Sequence, residues 1–141
     1  MVLIDSCMYI PLLRRGIDPA EEFSVLAEEL EVVTCGIVRC EITRGLKTQR
    51  ARDRLNAWLD CQIYVPTMHR VWARAEQIAW DTGKMGLTIP LTDAIIAACA
   101  MESGSALLTR DRHFQWIEGL KVISDYPPPG GGTGEADAGG T

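Results

Sequence analysis

Short β-branched runs alternate with stretches of helical periodicity along most of this chain, and that alternation restricts the possible folds more than any other feature. Val2-Leu3-Ile4, Glu31 to Cys35, Ile63-Tyr64-Val65, Ala106-Leu107-Leu108-Thr109 and Val122-Ile123 read as strands. Between them lie helices. One opens at Asp18 as N-cap with Pro19 at the first helical position and Glu21 closing a capping-box variant, and it carries Phe23, Leu26, Ala27 and Leu30. A second runs through Ile37, Val38 and Glu41, and a third carries Leu55, Trp58 and Leu59. Thr67 is placed to cap a fourth, with Val71, Trp72, Ala75, Ile78 and Ala79, ending near Gly83. Thr92 is placed to cap a fifth, from Asp93 to Ser103, with Gly104 as its stop. This last helix is apolar nearly all round from Ala94 to Ala100, so it belongs inside a domain. The pattern predicts an α/β fold with a mostly parallel sheet covered on both faces.

A chain of 141 residues suits one such unit and can bury a core without disulfides. The five cysteines form no C-x-x-C pair, which fits a reducing compartment, and a Cys35/Cys40 metal site is set aside. No apolar run is long enough to span a bilayer, and Met1 to Asp5 enters a strand without a basic leader, so a cytoplasmic protein is expected. From Pro127 to Thr141 the composition turns to Pro, Gly and small polar residues, which predicts a folded unit over 1–126 and a disordered tail over 127–141.

The candidate chemistry lies in four acids. In open parallel sheets, ligands bind at the carboxyl ends of the strands. Asp5 and Asp111 each fall just beyond an apolar strand, Asp93 begins the buried helix, and Glu41 points inward if Ile37 and Val38 mark the core side of its helix. Any one of them alone reads as a cap or an arginine partner; four on one sheet edge are harder to explain that way. At a separation of ~6 Å and an effective dielectric of ~20, each pair repels by about 3 kcal/mol, so such a cluster takes up protons or a cation. Hard oxygen ligands select Mg²⁺ or Mn²⁺, ions that promote phosphodiester hydrolysis. Ser6 and Thr109 add hydroxyls near the same edge.

The formal net charge of −5 argues against a nucleic-acid partner until its distribution is considered. Arg39, Arg44, Lys47, Arg50, Arg52 and Arg54 face only Glu41 and Asp53 within their stretch. They read either as an RNA contact beside Glu41 or as a solvated helix face. Arg110 and Arg112 read as phosphate ligands or surface pairs. His113 is not needed as a general base where a metal supplies the nucleophile. The tryptophans offer stacking surfaces, although the spacing of Trp72 suits core or dimer surface better.

At these residues the sequence resembles the PIN-domain family, especially the VapC-like toxin ribonucleases of toxin–antitoxin modules. The matching pieces are Val2-Leu3-Ile4-Asp5-Ser6, Thr34 to Glu41, Leu91-Thr92-Asp93-Ala94-Ile95-Ile96-Ala97-Ala98 and Leu107-Leu108-Thr109-Arg110-Asp111-Arg112-His113-Phe114. They occur in family order and span Met1 to Ser124. The resemblance implies a three-layer α/β/α fold and RNA cleavage by a metal-activated water, with Mg²⁺ or Mn²⁺ held by Asp5, Glu41, Asp93 and Asp111. It also implies a homodimer and a cognate antitoxin inserted in the active-site groove. The alternatives are a housekeeping PIN nuclease without an antitoxin and a non-catalytic interaction module on the same fold. A phosphoacceptor receiver domain needs a lysine near its acidic pocket, and Leu107–Phe114 provides none.

Overall fold

Three apolar residues in a row, Val2–Ile4, form strand β1, and all three are buried on both faces, as the centre of a parallel sheet requires. The computed structural model describes residues 1–130. After β1 come α1 (Ser6–Arg14), α2 (Pro19–Glu22), α3 (Ser24–Glu29), β2 (Val32–Cys35), α4 (Gly36–Thr43), α5 (Gln49–Leu59) and β3 (Ile63–Val65). The chain continues with α6 (His69–Lys84), α7 (Leu91–Ser103), β4 (Ala106–Leu108), a 3₁₀ helix (Arg112–Trp116) and β5 (Val122–Ile123). The five strands lie in the order β3-β2-β1-β4-β5, and every neighbouring pair is parallel. The first three strands step away from β1 on one side, and the chain then crosses to the other side for β4 and β5. That reversal opens a crevice at the carboxyl ends of β1 and β4, where the register sets Ile4 opposite Leu108.

The expected strands all form. Helix α7 is buried from Ala94 to Ala100, packs against α4, α6 and β4, and ends at Gly104, whose φ of 70° is open to a glycine and strained for other residues. No helix among the described residues is long and apolar enough to cross a membrane. Of the tail expected from Pro127, residues 131–141 lie outside the described residues.

Several local expectations are corrected. The helix from Asp18 does not run on to Leu30. Asp18 caps it by accepting from Ala20 N at 3.0 Å, but the chain breaks at Phe23, which is fully buried edge-on to Tyr9 and Tyr126. Seating that ring in the core outweighs a continuous helix, and the Ser24 hydroxyl donates to Glu21 O at 2.8 Å across the break. Thr67 and Thr92 are not caps. Met68 precedes α6, and Pro90 precedes α7, accepting from Ala94 N at 3.1 Å. The earlier start moves Asp93 from the first helical position to the third. Trp72 is 52% exposed on α6, a surface residue and not a core one. Helix α1 has no clear local signature, since Pro11 stands inside it and Asp5 at its N-cap makes no side-chain cap.

Candidate active site

Asp5 leaves β1 with its carboxylate turned along the sheet edge and only 3% exposed. Its backbone N–H donates to Leu108 O at 3.0 Å, which ties it to the end of β4. The neighbouring Thr109 hydroxyl donates to Asp5 Oδ2 at 2.8 Å and accepts from Asp111 N at 3.1 Å. One buried threonine thereby fixes two of the acids. This explains why Asp5 fails to cap α1: its oxygens face Thr109 and Ser6.

The Ser6 hydroxyl lies 3.5 Å from Asp5 Oδ1 and 3.4 Å from Glu41 Oε1. It has one proton to donate, so it bridges the two carboxylates without satisfying both. Burial, and then the charge of Asp5, raise the Glu41 carboxyl above its usual range, while Ser6 and Arg44 oppose the rise. Helix α4 packs on α1 and α7, which brings Glu41 to the crevice.

Asp93, 15% exposed at its side chain, closes the cluster from the third position of α7. Burial pushes its carboxyl up to about 6, and the charges of Asp111, Asp5 and Glu41 add to the shift, with His113 opposing. Asp111 caps the 3₁₀ helix by accepting from His113 N at 3.0 Å. The His113 ring turns back over it, with Nδ1 3.2 Å from Asp111 Oδ1 and 3.8 Å from Asp93 Oδ2. That nitrogen is buried and makes no hydrogen bond, because its approach to Asp111 is off-line.

All four predicted acids, with Ser6 and Thr109, thus meet at one crevice. The donor set suits a divalent cation: carboxylates that repel one another, and a buried nitrogen among them without a partner. One donor atom from each of Asp93, Asp111 and His113 lies within 4.8 Å of the other two. Two features of the site carry little signal in the sequence. His113 reads there only as a candidate base, although its spacing of two from Asp111 in a capped turn allows the ring to fold back. Arg14 stands in the last turn of α1, the helix without a local signature.

The basic stretch divides. A groove of about 650 Å³ is lined by Arg14, Arg44, Lys47 and Thr48 and reaches Glu41. Arg39 is engaged elsewhere, with its guanidinium donating to Asp60 at 2.8 Å. Arg50 and Arg52 are exposed on α5 outside the groove lining, and Arg110 and Arg112 are exposed on either side of Asp111.

The PIN domain profile matches residues 2–120. Ribonuclease VapC4 of Mycobacterium tuberculosis is 25% identical over 127 residues, spanning 86% of this chain and 95% of that one. Among solved structures, VapBC2 from Rickettsia felis bound to a DNA fragment from their promoter superposes with a TM-score of 0.75 at 18% identity, over 87% of this chain and 98% of that one. A toxin–antitoxin complex from Klebsiella pneumoniae gives 0.67 at 22% identity, over 89% and 98% of the two chains.

Proposed function

Since the chain belongs to the PIN-domain family, we propose that it is an endoribonuclease dependent on Mg²⁺ or Mn²⁺, the toxin of a type II toxin–antitoxin module. The observation that carries this reading is the meeting of Asp5, Glu41, Asp93 and Asp111 at the switch point of a parallel sheet, with two of these carboxyls held above their usual range. Such a cluster is costly unless a cation neutralises it, and that cost is retained where the cation is needed. The ribonuclease name of the mycobacterial relative and the toxin–antitoxin pairing of the Klebsiella structure support the same reading.

Asp5, Glu41, Asp93 and Asp111 would hold the ion. A divalent cation bound there supplies a nucleophilic water at neutral pH and positive charge against the oxyanions of the reaction. Thr109 keeps Asp5 in one rotamer and the backbone of Asp111 in register with it. Ser6 keeps Glu41 and Asp5 on one side of the crevice. Arg14, Arg44 and Lys47 line the approach to Glu41 and are suited to hold the phosphates of a single strand, which needs charge and not base contacts for positioning. We assign the activity to residues 1–126, in a cytoplasmic homodimer whose antitoxin covers the same groove.

The direct test is incubation of the full chain with single-stranded RNA and Mn²⁺ or Mg²⁺, against the same mixture with chelator. Cleavage only with metal is expected, leaving 3′-hydroxyl and 5′-phosphate ends because water attacks. Cyclic phosphate ends, or cleavage in chelator, would mean a different enzyme.

The groove gives a separate prediction. In a cleavage-dead background, Arg44→Ala with Lys47→Ala is expected to flatten the slope of log affinity against log salt by about 1.4 for single-stranded RNA. Arg50→Ala with Arg52→Ala measures whether α5 also lies on the path. An unchanged slope in the first double variant would return the groove residues to an ordinary solvated face.

A further inference from the structure

The buried nitrogen of His113 has a consequence for which cation the cluster holds. Nδ1 faces Asp111 Oδ1 at 3.2 Å and Asp93 Oδ2 at 3.8 Å, yet it donates to neither. A buried polar atom without a partner costs stability comparable to a lost hydrogen bond. A cation lying among the three donors removes that penalty. These donor atoms are within 4.8 Å of one another, close to the span that ligands of one ion occupy.

The ring is 43% exposed at its side chain, and its inner edge is held from three directions. The backbone N–H of His113 donates to Asp111 Oδ1 at 3.0 Å, the imidazole packs at 5.4 Å against Trp116, and the next residue, Phe114, is fully buried. The 3₁₀ helix thereby fixes a nitrogen where the acids alone would offer oxygen. The chemistry of that exchange is specific. Mg²⁺ takes oxygen ligands and keeps its waters, whereas Mn²⁺, the first of the first-row transition ions, tolerates an imidazole nitrogen beside carboxylate oxygens more readily than Mg²⁺ does.

The geometry points to His113 as a nitrogen ligand, through Nδ1, at the Asp93/Asp111 end of the cluster, so that cation binding favours Mn²⁺ over Mg²⁺. This rests on the reading of the acids as a cation site, and the experiment separates the two. The untagged full chain is loaded with Mn²⁺ and examined by pulsed electron paramagnetic resonance for coupling to nitrogen-14. Binding affinities for Mn²⁺ and Mg²⁺ are measured in parallel by calorimetry.

The wild type is expected to show imidazole coupling. His113→Gln is expected to lose it, with Mn²⁺ affinity falling about tenfold and Mg²⁺ affinity changing less than about twofold. His69→Gln, at the start of α6 and the chain's other histidine, is expected to change neither. Mn²⁺ bound without nitrogen coupling in the wild type would overturn the ligand role and leave the cation site standing. Coupling that survives His113→Gln and disappears with His69→Gln would overturn it too. A wild type that binds no Mn²⁺ would remove the cation site and this inference with it. If His113→Gln folds poorly, His69→Gln still decides, because coupling retained in that variant leaves His113 as the one histidine that can supply it.

Discussion

Asp5→Asn and Asp93→Asn are each expected to lower RNA cleavage by about a thousandfold or more while the chain remains folded. The two residues approach the crevice from different elements, β1 and α7, so a shared loss would tie the activity to the cluster and not to either segment. Folding should survive both changes. The asparagine oxygen at position 5 can still accept from Thr109, and the Ser6 hydroxyl can turn to accept from the new amide. At position 93 no side-chain hydrogen bond caps α7; the change gives up the favourable charge at the helix start, worth roughly 0.3–1 kcal/mol, and removes a larger repulsion from the other acids. The measurement is single-turnover cleavage at saturating metal, with circular dichroism on the same samples. A folded Asp5→Asn/Asp93→Asn protein cutting at the wild-type rate would end the proposed mechanism.

Asp93→Asn is also expected to raise stability in chelator, on the order of 1 kcal/mol at neutral pH once solvent screening is allowed for. The sign follows from the raised carboxyl. Its value near 6 in the folded protein exceeds the ordinary 3.8, so the folded state binds this proton more tightly than the unfolded state. The ionised form therefore destabilises the fold, fully above about pH 6, and the penalty fades as pH falls from 6 toward 3.8. Metal-free wild type should gain stability over that interval from this group, and Asp93→Asn should lack that gain. Mn²⁺ reverses the ordering at neutral pH, because binding to the native state stabilises the wild type more than the variant. Melting curves of both proteins at pH 7 and pH 5, with chelator and with Mn²⁺, test all four expectations. A variant less stable than wild type in chelator, with equal metal shifts in both, would contradict a repulsive cluster at Asp93.

The sequence by itself determined what short stretches of chain decide. An unbroken apolar triplet such as Val2–Ile4 must be covered on both faces, and seven apolar residues in a row from Ala94 must lie inside. Gly104 can end α7 because its left-handed φ depends on one residue only. From those elements the parallel sheet followed, and with it the edge on which Asp5 and Asp111 lie.

Where two signals competed, only tertiary packing chose between them. The periodicity from Phe23 to Leu30 describes a helix, but the core holds the Phe23 ring and the helix breaks there. Thr92 is an ordinary cap by type, yet the start of α7 at Leu91 sets Asp93 at the third helical position. Within the basic stretch, nothing local distinguishes Arg39 from Arg44. Asp60, 21 residues away from Arg39, engages it and leaves Arg44 beside Glu41. The contacts that orient the site are of the same kind: Thr109 to Asp5 across 104 residues and Ser6 to Glu41 across 35. Local pattern reveals which residue types stand at the end of a strand. Which atoms they offer one another is settled only when elements distant in the chain are packed together, because a hydrogen bond or a shared cation is defined to within tenths of an ångström and periodicity only to the nearest face.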